Sequence, residues 1–428
     1  MKMIFSNKIF SNSLWMMLEK VISIFGLIFV NALMAKYIGP DNFGKLAFTT
    51  SIFLFVQTLA WFGAQNILFK RFSQNAQSGL KLAISTQKMR KFFCVLASAI
   101  ALVYLWLYTD PLTFVFGLGN FIASYFIVSD FYTVYNNSQL ISYVNAISNT
   151  IGLAIALILR FLLVLFEAEP YSMVYPIIII ALVPYLLRKL YYNKKNKRIL
   201  ITHTKKYNKY LFLTGSSLVF STLSIVFYTQ ISNIFLAKFV SFSELAIYNV
   251  AMTLGGAWGF VNLALITSFF SKVYEEKQFE VQQKILKQLH IIILLISGCA
   301  LSGVLWLGEW IVAWLYGVEY SASSDLLPYI VIGTALSALG TISYRYMIVF
   351  NAYKYLAIKM SIMATLSVLI SYFLIFQYGV LGAAICFVIV EFISLTIANY
   401  FFRKGLMLKT HLNILYSTLL KFKNGNQK

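Results

Sequence analysis

Acidic residues are scarce in this chain. Its 428 residues hold 14 Asp+Glu against 35 Lys+Arg, for a formal net charge of +21. Charged residues of both signs make up only 11%, where a soluble domain carries roughly a quarter. That deficit excludes an ordinary soluble domain. Cysteine is nearly absent: Cys94, Cys299 and Cys386 all lie in apolar stretches, with no spacing for a metal or a disulfide framework. The three histidines, His203, His290 and His411, lie in or beside basic segments and read as surface groups. Phosphate-cradling Gly-Lys-Ser/Thr loops, zinc spacings and nucleophile–base pairs are missing too. No catalytic residue, metal or cofactor is therefore expected.

Hydrophobic residues fill the space, at 60% of the chain. Runs such as Val174–Leu187 and Ile291–Leu307 are too long for barrel strands. A backbone crossing lipid must satisfy its own hydrogen bonds, so these runs are helices. With about 20 residues per crossing, the chain divides into twelve spans. They fall at 9–36, 44–69, 91–108, 111–135, 140–166, 170–188, 210–238, 243–271, 289–307, 322–350, 355–376 and 379–402. The basic residues before the first run precede no small-residue cleavage site, so the first span reads as retained. About 29 of the 35 Lys+Arg then fall on one side, about three on the other and about three within spans. That asymmetry predicts a bacterial inner-membrane protein with both termini cytoplasmic. The excess charge belongs to the membrane surface, not to nucleic acid.

Residues 191–209 form a basic cytoplasmic linker between an N-terminal half, 1–190, and a C-terminal half, 210–402, with a basic tail at 403–428. Attraction to anionic lipid headgroups, about 1 kcal/mol per Lys or Arg near the surface, accounts for such a linker. In 272–288 the Glu280–Lys284 pair has the favourable i,i+4 order. Together with the stripe Val281, Ile285 and Leu289, it predicts an amphipathic helix on the cytoplasmic face. The outer loops are short and mildly acidic. The halves look like repeats: Asn31–Ile52 aligns without gaps to Asn233–Leu254. Both copies run outward and return, which makes the repeat parallel, as in carriers whose site lies between like halves. The expected fold is an all-α membrane protein of about twelve transmembrane helices, in two pseudo-symmetric six-helix halves around a central cavity.

The segment AKYIGPDNFGKLAF, residues 35–48, resembles a signature of bacterial flippases for polysaccharide repeat units. These are the O-antigen and capsule flippases of the multidrug/oligosaccharidyl-lipid/polysaccharide exporter superfamily. Leu18-Glu19-Lys20 and Ala246–Ala251 resemble the same family, as do the length, the span count and the two halves. Within the signature, Gly39 and Pro40 suit an outer turn, followed by Phe43 and by Gly44, which permits close packing. One departure stands out. Where the family often has an acid in span seven, this chain has Gln230-Ile231-Ser232-Asn233, so an ion-coupling role there is not carried over. The resemblance implies a cargo of oligosaccharide on polyprenyl pyrophosphate. It also implies lipid contact and work alongside a polysaccharide polymerase and chain-length machinery.

Glu19, Lys20, Asp130, Arg160, Arg345 and Glu391 fall inside the spans. A charge at the bilayer centre costs about 2.5–3.5 kcal/mol even on lenient scales, so each needs a wet cavity, a partner or a route to the surface. Lys20, Arg160 and Arg345 are candidates for binding the pyrophosphate of the implied cargo, since Arg matches phosphate oxygens bidentately. Arg160 and Arg345 lie near span ends, and snorkelling is the structural alternative. Glu19, Asp130 and Glu391 are candidates for ion coupling, with a helix–helix bond as the alternative for the last two. Asn120, Ser124, Ser129, Tyr132, Asn136 and Asn137 accompany Asp130 and read as a sugar-compatible wall. Gly255-Gly256-x-x-Gly259 reads as close helix packing, with a gating hinge as the alternative. Two other readings stay open: a multidrug/cation antiporter of the same superfamily, and a membrane-embedded polymerase or glycosyltransferase. The second would need a large outer catalytic loop.

Overall fold

The computed structural model describes residues 7–195, 204–350 and 352–413, and every regular element among them is helical. The α-helices are α1 Asn7–Trp61, α2 Ala64–Gln74, α3 Ala76–Ser85, α4 Gln87–Tyr108 and α5 Pro111–Ser129. They continue with α6 Tyr132–Ser138, α7 Tyr143–Leu165, α8 Val174–Lys195, α9 Thr204–Phe239 and α10 Phe242–Gly256. The remainder are α11 Gly259–Glu275, α12 Phe279–Tyr316, α13 Ser323–Val349, α14 Tyr353–Leu395 and α15 Ile397–Tyr400. Among the described residues, every connection between helices is short.

Two helices are too long to be single crossings. The 55 residues of α1 would extend about 80 Å at 1.5 Å per residue, against a hydrocarbon core of about 30 Å. Side-chain register shows that α1 doubles back. Gly26 lies against Leu153, Arg160 donates to Asn31, and Tyr37 donates to the Ala168 carbonyl. The first limb therefore climbs alongside α7. Past Gly39 the partners change. Lys45 pairs with Asp110, Asn120 donates to Thr49, and Gln57 donates to Ser124, so the second limb runs alongside α5. These two guides oppose each other. Helix α8 is parallel to α5, with Val174 at Gly119 and Arg188 at Asp130. It is antiparallel to α7, with Pro184 at Gly152 and Tyr191 bonded to Tyr143.

The reversal sits at Gly39, whose φ of 76° and ψ of 166° fall in a region essentially reserved for glycine. Pro40, which needs no N–H partner, opens the next helix. Helix α14 reverses likewise at Gly379, with φ 54° and ψ −131°. A Cβ on Gly382 would sit 2.0 Å from the Leu374 carbonyl oxygen, whereas residues eight apart in a straight helix are about 12 Å apart.

Counted as continuous helices, nine among the described residues are long and apolar enough to cross a membrane, or ten with the α10–α11 pair, which bends by 42°. Dividing α1 and α14 at their glycine reversals brings the number to twelve, as the sequence led us to expect.

Among the described residues, one compact unit runs through Ile247 and includes Leu315–Glu319; the other takes Tyr248–Trp314 and the chain from Tyr320. These bounds differ from the sequence halves at 190 and 210. The reason is that α9 packs antiparallel along the second limb of α1: Phe227 meets Phe55, Asn233 donates to Ser51, and Leu218 abuts Gly63. Within the second unit, Phe270, Val273, Leu286, Leu289 and Ile293 pack with Ile342, Tyr346 and Met407. The predicted amphipathic helix at 272–288 is thus not a separate surface element. Its stripe is the first turns of α12: Leu289 is buried in that core, Ile285 packs half-buried against it, and Val281 is half-buried. In the tail, 406–413 is helical; the predicted linker's residues 196–203 and the tail beyond 413 lie outside the described residues.

Candidate functional site

Among the described residues of the first unit, charge is buried at three places. Asp130, 5% exposed, ends α5 and receives the Arg188 Nε and Nη2 on Oδ2 at 2.8 and 2.6 Å. The Thr133 backbone N–H and hydroxyl donate to its two oxygens. Arg188 also donates from Nη1 to Asn149 Oδ1 at 2.6 Å. One carboxylate and one guanidinium thus tie α5, α7 and α8 together. The sequence flagged Asp130 but left Arg188 at the end of the sixth span, beside the basic linker, so the pair was missed.

The polar residues near Asp130 are satisfied inside the protein and do not form an open sugar-binding wall. Asn136 donates to Asn145, which donates to Asn137 Oδ1, and Ser142 donates to the same oxygen. Asn120 and Ser124 bond to Thr49 and Gln57 on α1.

Arg90 is fully buried, though its sequence context is a basic surface segment. It donates to the carbonyls of Ala83 and Val128 at 3.1 Å each and lies 4.8 Å from the Trp61 ring. Those carbonyls end α3 and α5. Helix C-termini leave acceptors unpaired and favour a cation, so Arg90 closes two of them.

Arg160 shares an unpaired Nε with Arg90, but its bond is to a side-chain amide and not to helix-end carbonyls. It is 5% exposed, donates from Nη1 to Asn31 Oδ1 at 3.0 Å, and leaves Nε without a partner. Among the described residues it has no carboxylate within ion-pair distance. The side chains of Lys20 and Glu19, the other candidates on α1, lie outside the described residues.

The glycine signature forms a knot at the turn of α1. Lys45 reaches Asp41 at 2.7 Å and Asp110 at 3.3 Å. Burial alone would raise the Asp110 carboxyl, but the Thr113 hydroxyl and the Lys45 ammonium outweigh it and hold the group below its ordinary value. Phe43 is buried. A Cβ on Gly44 would lie 1.8 Å from the Phe242 carbonyl oxygen, where α10 begins. Residue 242 is the counterpart of Pro40 in the aligned repeat, so the two copies touch at their turns.

In the second unit, buried Lys359 donates to Asn399 Oδ1 at 2.8 Å and feels the charge of buried Glu391. The sequence singled out Glu391 but overlooked Lys359. Arg345 is half-buried, and its carbonyl accepts from Tyr274. Gly255 and Gly259 face Ile330 and Thr334 of α13, the close approach expected of that glycine stretch, and the helix breaks between them.

His290 and His411 are not surface groups. His290 is buried, and its ring lies 5.7 Å from that of His411. His411 sits within 3.3 Å of the Ser343 and Tyr400 hydroxyls. Burial, helped by His290, pushes His411 down to about 4. An unfolded histidine titrates near 6.5. Between those values the undocked chain binds a proton that the docked chain does not. Docking of 406–413 therefore weakens as pH falls from about 6.5 toward 4, and owes no pH dependence to this group above 6.5. Hydrogen exchange of 406–413 should show growing exposure across that window in the native chain, measured against His411→Phe at each pH. Equal exposure of the two chains at every pH would rule this out.

A family model described as polysaccharide biosynthesis protein matches residues 9–270. The chain belongs to that family. The matched stretch contains the glycine signature, the Asp130–Arg188 pair, Arg90 and Arg160. Among solved structures, the polysaccharide biosynthesis protein is similar to lipid II flippase MurJ in an inward closed conformation. That match has 17% identity and a TM-score of 0.70, and covers 97% of this chain and 93% of that one. It is also similar to an inward-facing multidrug resistance MATE family transporter, at 12% identity and a TM-score of 0.64, covering 94% and 96%. A transporter of the MOP superfamily from Pyrococcus furiosus matches at 12% identity and a TM-score of 0.58, covering 95% of each chain. At these identities the likeness establishes the fold. No curated protein sequence matches the chain.

Proposed function

We propose that this protein is a flippase, which moves polyprenyl-pyrophosphate-linked oligosaccharide repeat units from the cytoplasmic to the outer leaflet for O-antigen or capsule synthesis. The observation that carries this reading is membership of the polysaccharide biosynthesis family by a chain with the fold of flippases and exporters. An oligosaccharide cannot cross hydrocarbon unaided, because each unpaired hydroxyl costs several kcal/mol to desolvate. A polar path through a helical carrier removes that cost.

Lys20, Arg160 and Arg345 are the cations we assign to the pyrophosphate. Arg160 has the best support, as a buried guanidinium with an amide partner and an unpaired Nε. Glu391, beside Lys359, and Glu19 are the carboxylates proposed for coupling. Asp130 stands against that role while its oxygens are held by Arg188 and Thr133. With both termini cytoplasmic in the bacterial inner membrane, the potential favours outward movement of a negative headgroup by about 2.3 kcal/mol per charge per 100 mV. A polymerase and chain-length machinery would act on the delivered unit. The enzyme alternative required a large loop, and the described helices are joined by short turns.

Deleting the gene should abolish surface polysaccharide and trap lipid-linked repeat units in the inner leaflet. Complementation with Arg160→Met should restore little export, and Lys20→Ala and Arg345→Ala should each reduce it. Unchanged surface polymer and unchanged intermediates in the deletion strain would end this proposal.

A further inference from the structure

Helices α11 and α13 line a half-open cleft of about 160 Å³ within the second unit. Its polar lining is Asn262 from α11 with Thr334, Ser337 and Thr341 from α13. The three α13 positions are three and four residues apart, so they share one helix face. Ile266 and Ala338 supply apolar wall beside them.

Asn262 is the unusual member. It is 1% exposed, yet neither Nδ2 nor Oδ1 has a hydrogen-bond partner. An amide buried without partners is rare in native proteins, and calls for a role. The hydroxyls around it are differently disposed. Thr334 donates to the Ile330 carbonyl at 2.8 Å and Thr341 to the Ser337 carbonyl at 3.0 Å. Their hydrogens are committed, while their oxygens remain free to accept.

The cleft thus offers an amide that both donates and accepts, hydroxyl oxygens that accept, and some apolar wall. None of the residues lining it is ionisable. That chemistry selects against phosphate, carboxylate and ammonium groups. It matches a neutral group whose hydroxyls both donate and accept and whose C–H faces are apolar. The volume holds about five waters at ~30 Å³ each, the scale of one pyranose ring.

We propose that this cleft is a sugar subsite, which takes one neutral pyranose and reads its hydroxyls through Asn262. Assigning that pyranose to the transported cargo rests on the flippase reading above; its binding to the cleft does not. A subsite of this kind discriminates by hydroxyl pattern, because a sugar lacking the matching hydroxyl leaves Asn262 unpaired while still displacing water.

The test uses the purified full chain in detergent micelles and saturation-transfer NMR. The probes are methyl pyranosides: hexoses, 6-deoxyhexoses and N-acetylhexosamines. At least one should bind saturably, and Asn262→Leu should weaken it at least tenfold. The same variant should melt at or above the native temperature, since it removes an unpaired buried polar group. A merely structural asparagine would lower the melting temperature instead. Thr334→Val, close in shape, should weaken binding by a smaller factor, and it decides the matter if Asn262→Leu fails to fold. Absence of saturable binding by every pyranoside overturns the proposal, as does undiminished binding by both variants. Sugar binding that depends on Asn262, in a chain whose deletion leaves lipid-linked intermediates unchanged, would keep the subsite and remove the flippase reading.

Discussion

Asp130→Leu should destabilise the protein by about 3–5 kcal/mol, the usual consequence of removing one partner from a buried ion pair. Arg188 is 6% exposed, and its remaining side-chain bond is to the neutral Asn149 amide. Without Asp130 its charge is left uncompensated between three helices. A loss of that size is comparable to the whole stability of many folded proteins, about 5–15 kcal/mol. Arg188→Met should be costly for the complementary reason, because Asp130 loses its strongest donor. The double variant Asp130→Leu/Arg188→Met should recover most of the loss, since well-packed apolar replacements of buried pairs are often neutral or better. Thermal unfolding in detergent, with all four chains side by side, measures the coupling. If the double variant is as unstable as the sum of the singles, the two groups do not act as a pair.

Gly44→Ala should cost about 3 kcal/mol, near the upper end for overpacking. The added methyl would meet the Phe242 backbone carbonyl at 1.8 Å. A backbone cannot rotate aside as a side chain does, so the helices themselves must part. Gly303, inside α12, is the contrast: a methyl added there would have nothing within 4 Å. Gly303→Ala should therefore be neutral or stabilising by about 0.5–1 kcal/mol from helix propensity alone. Gly44→Ala should melt below the native chain, and Gly303→Ala at or above its melting temperature. Equal behaviour would show that α1 and α10 do not approach each other closely at Gly44.

Crossing helices were legible because hydrocarbon leaves so few alternatives. The twelve apolar stretches, the Gly39-Pro40 turn and the reversal near Gly379 could be read from runs and breakers. Partnerships between distant residues could not. Arg90 and Arg188 sit within or beside basic runs, where composition suggests solvation, and Lys359 lies inside the apolar span 355–376 with its partner far off in sequence. Only the fold brings helix C-termini to Arg90, Asp130 to Arg188 and Asn399 to Lys359. His290 and His411 lie 121 positions apart in sequence and meet because the chain after α15 returns to α12. The polarity around Asp130 misled for a related reason. Asparagine and serine on a membrane helix signal that the face avoids lipid, but they do not say whether water or protein takes its place. The orphaned amide of Asn262 gives no sequence signal, since an unpaired group is defined by what is absent around it.

The glycine reversals in α1 and α14 leave almost nothing protruding between their limbs. A protease or antibody finds no loop to grip at Gly39 or at Gly379. Epitope tags meant to map topology would have to be inserted elsewhere, because added residues at either hairpin would splay two helices that meet without a spacer.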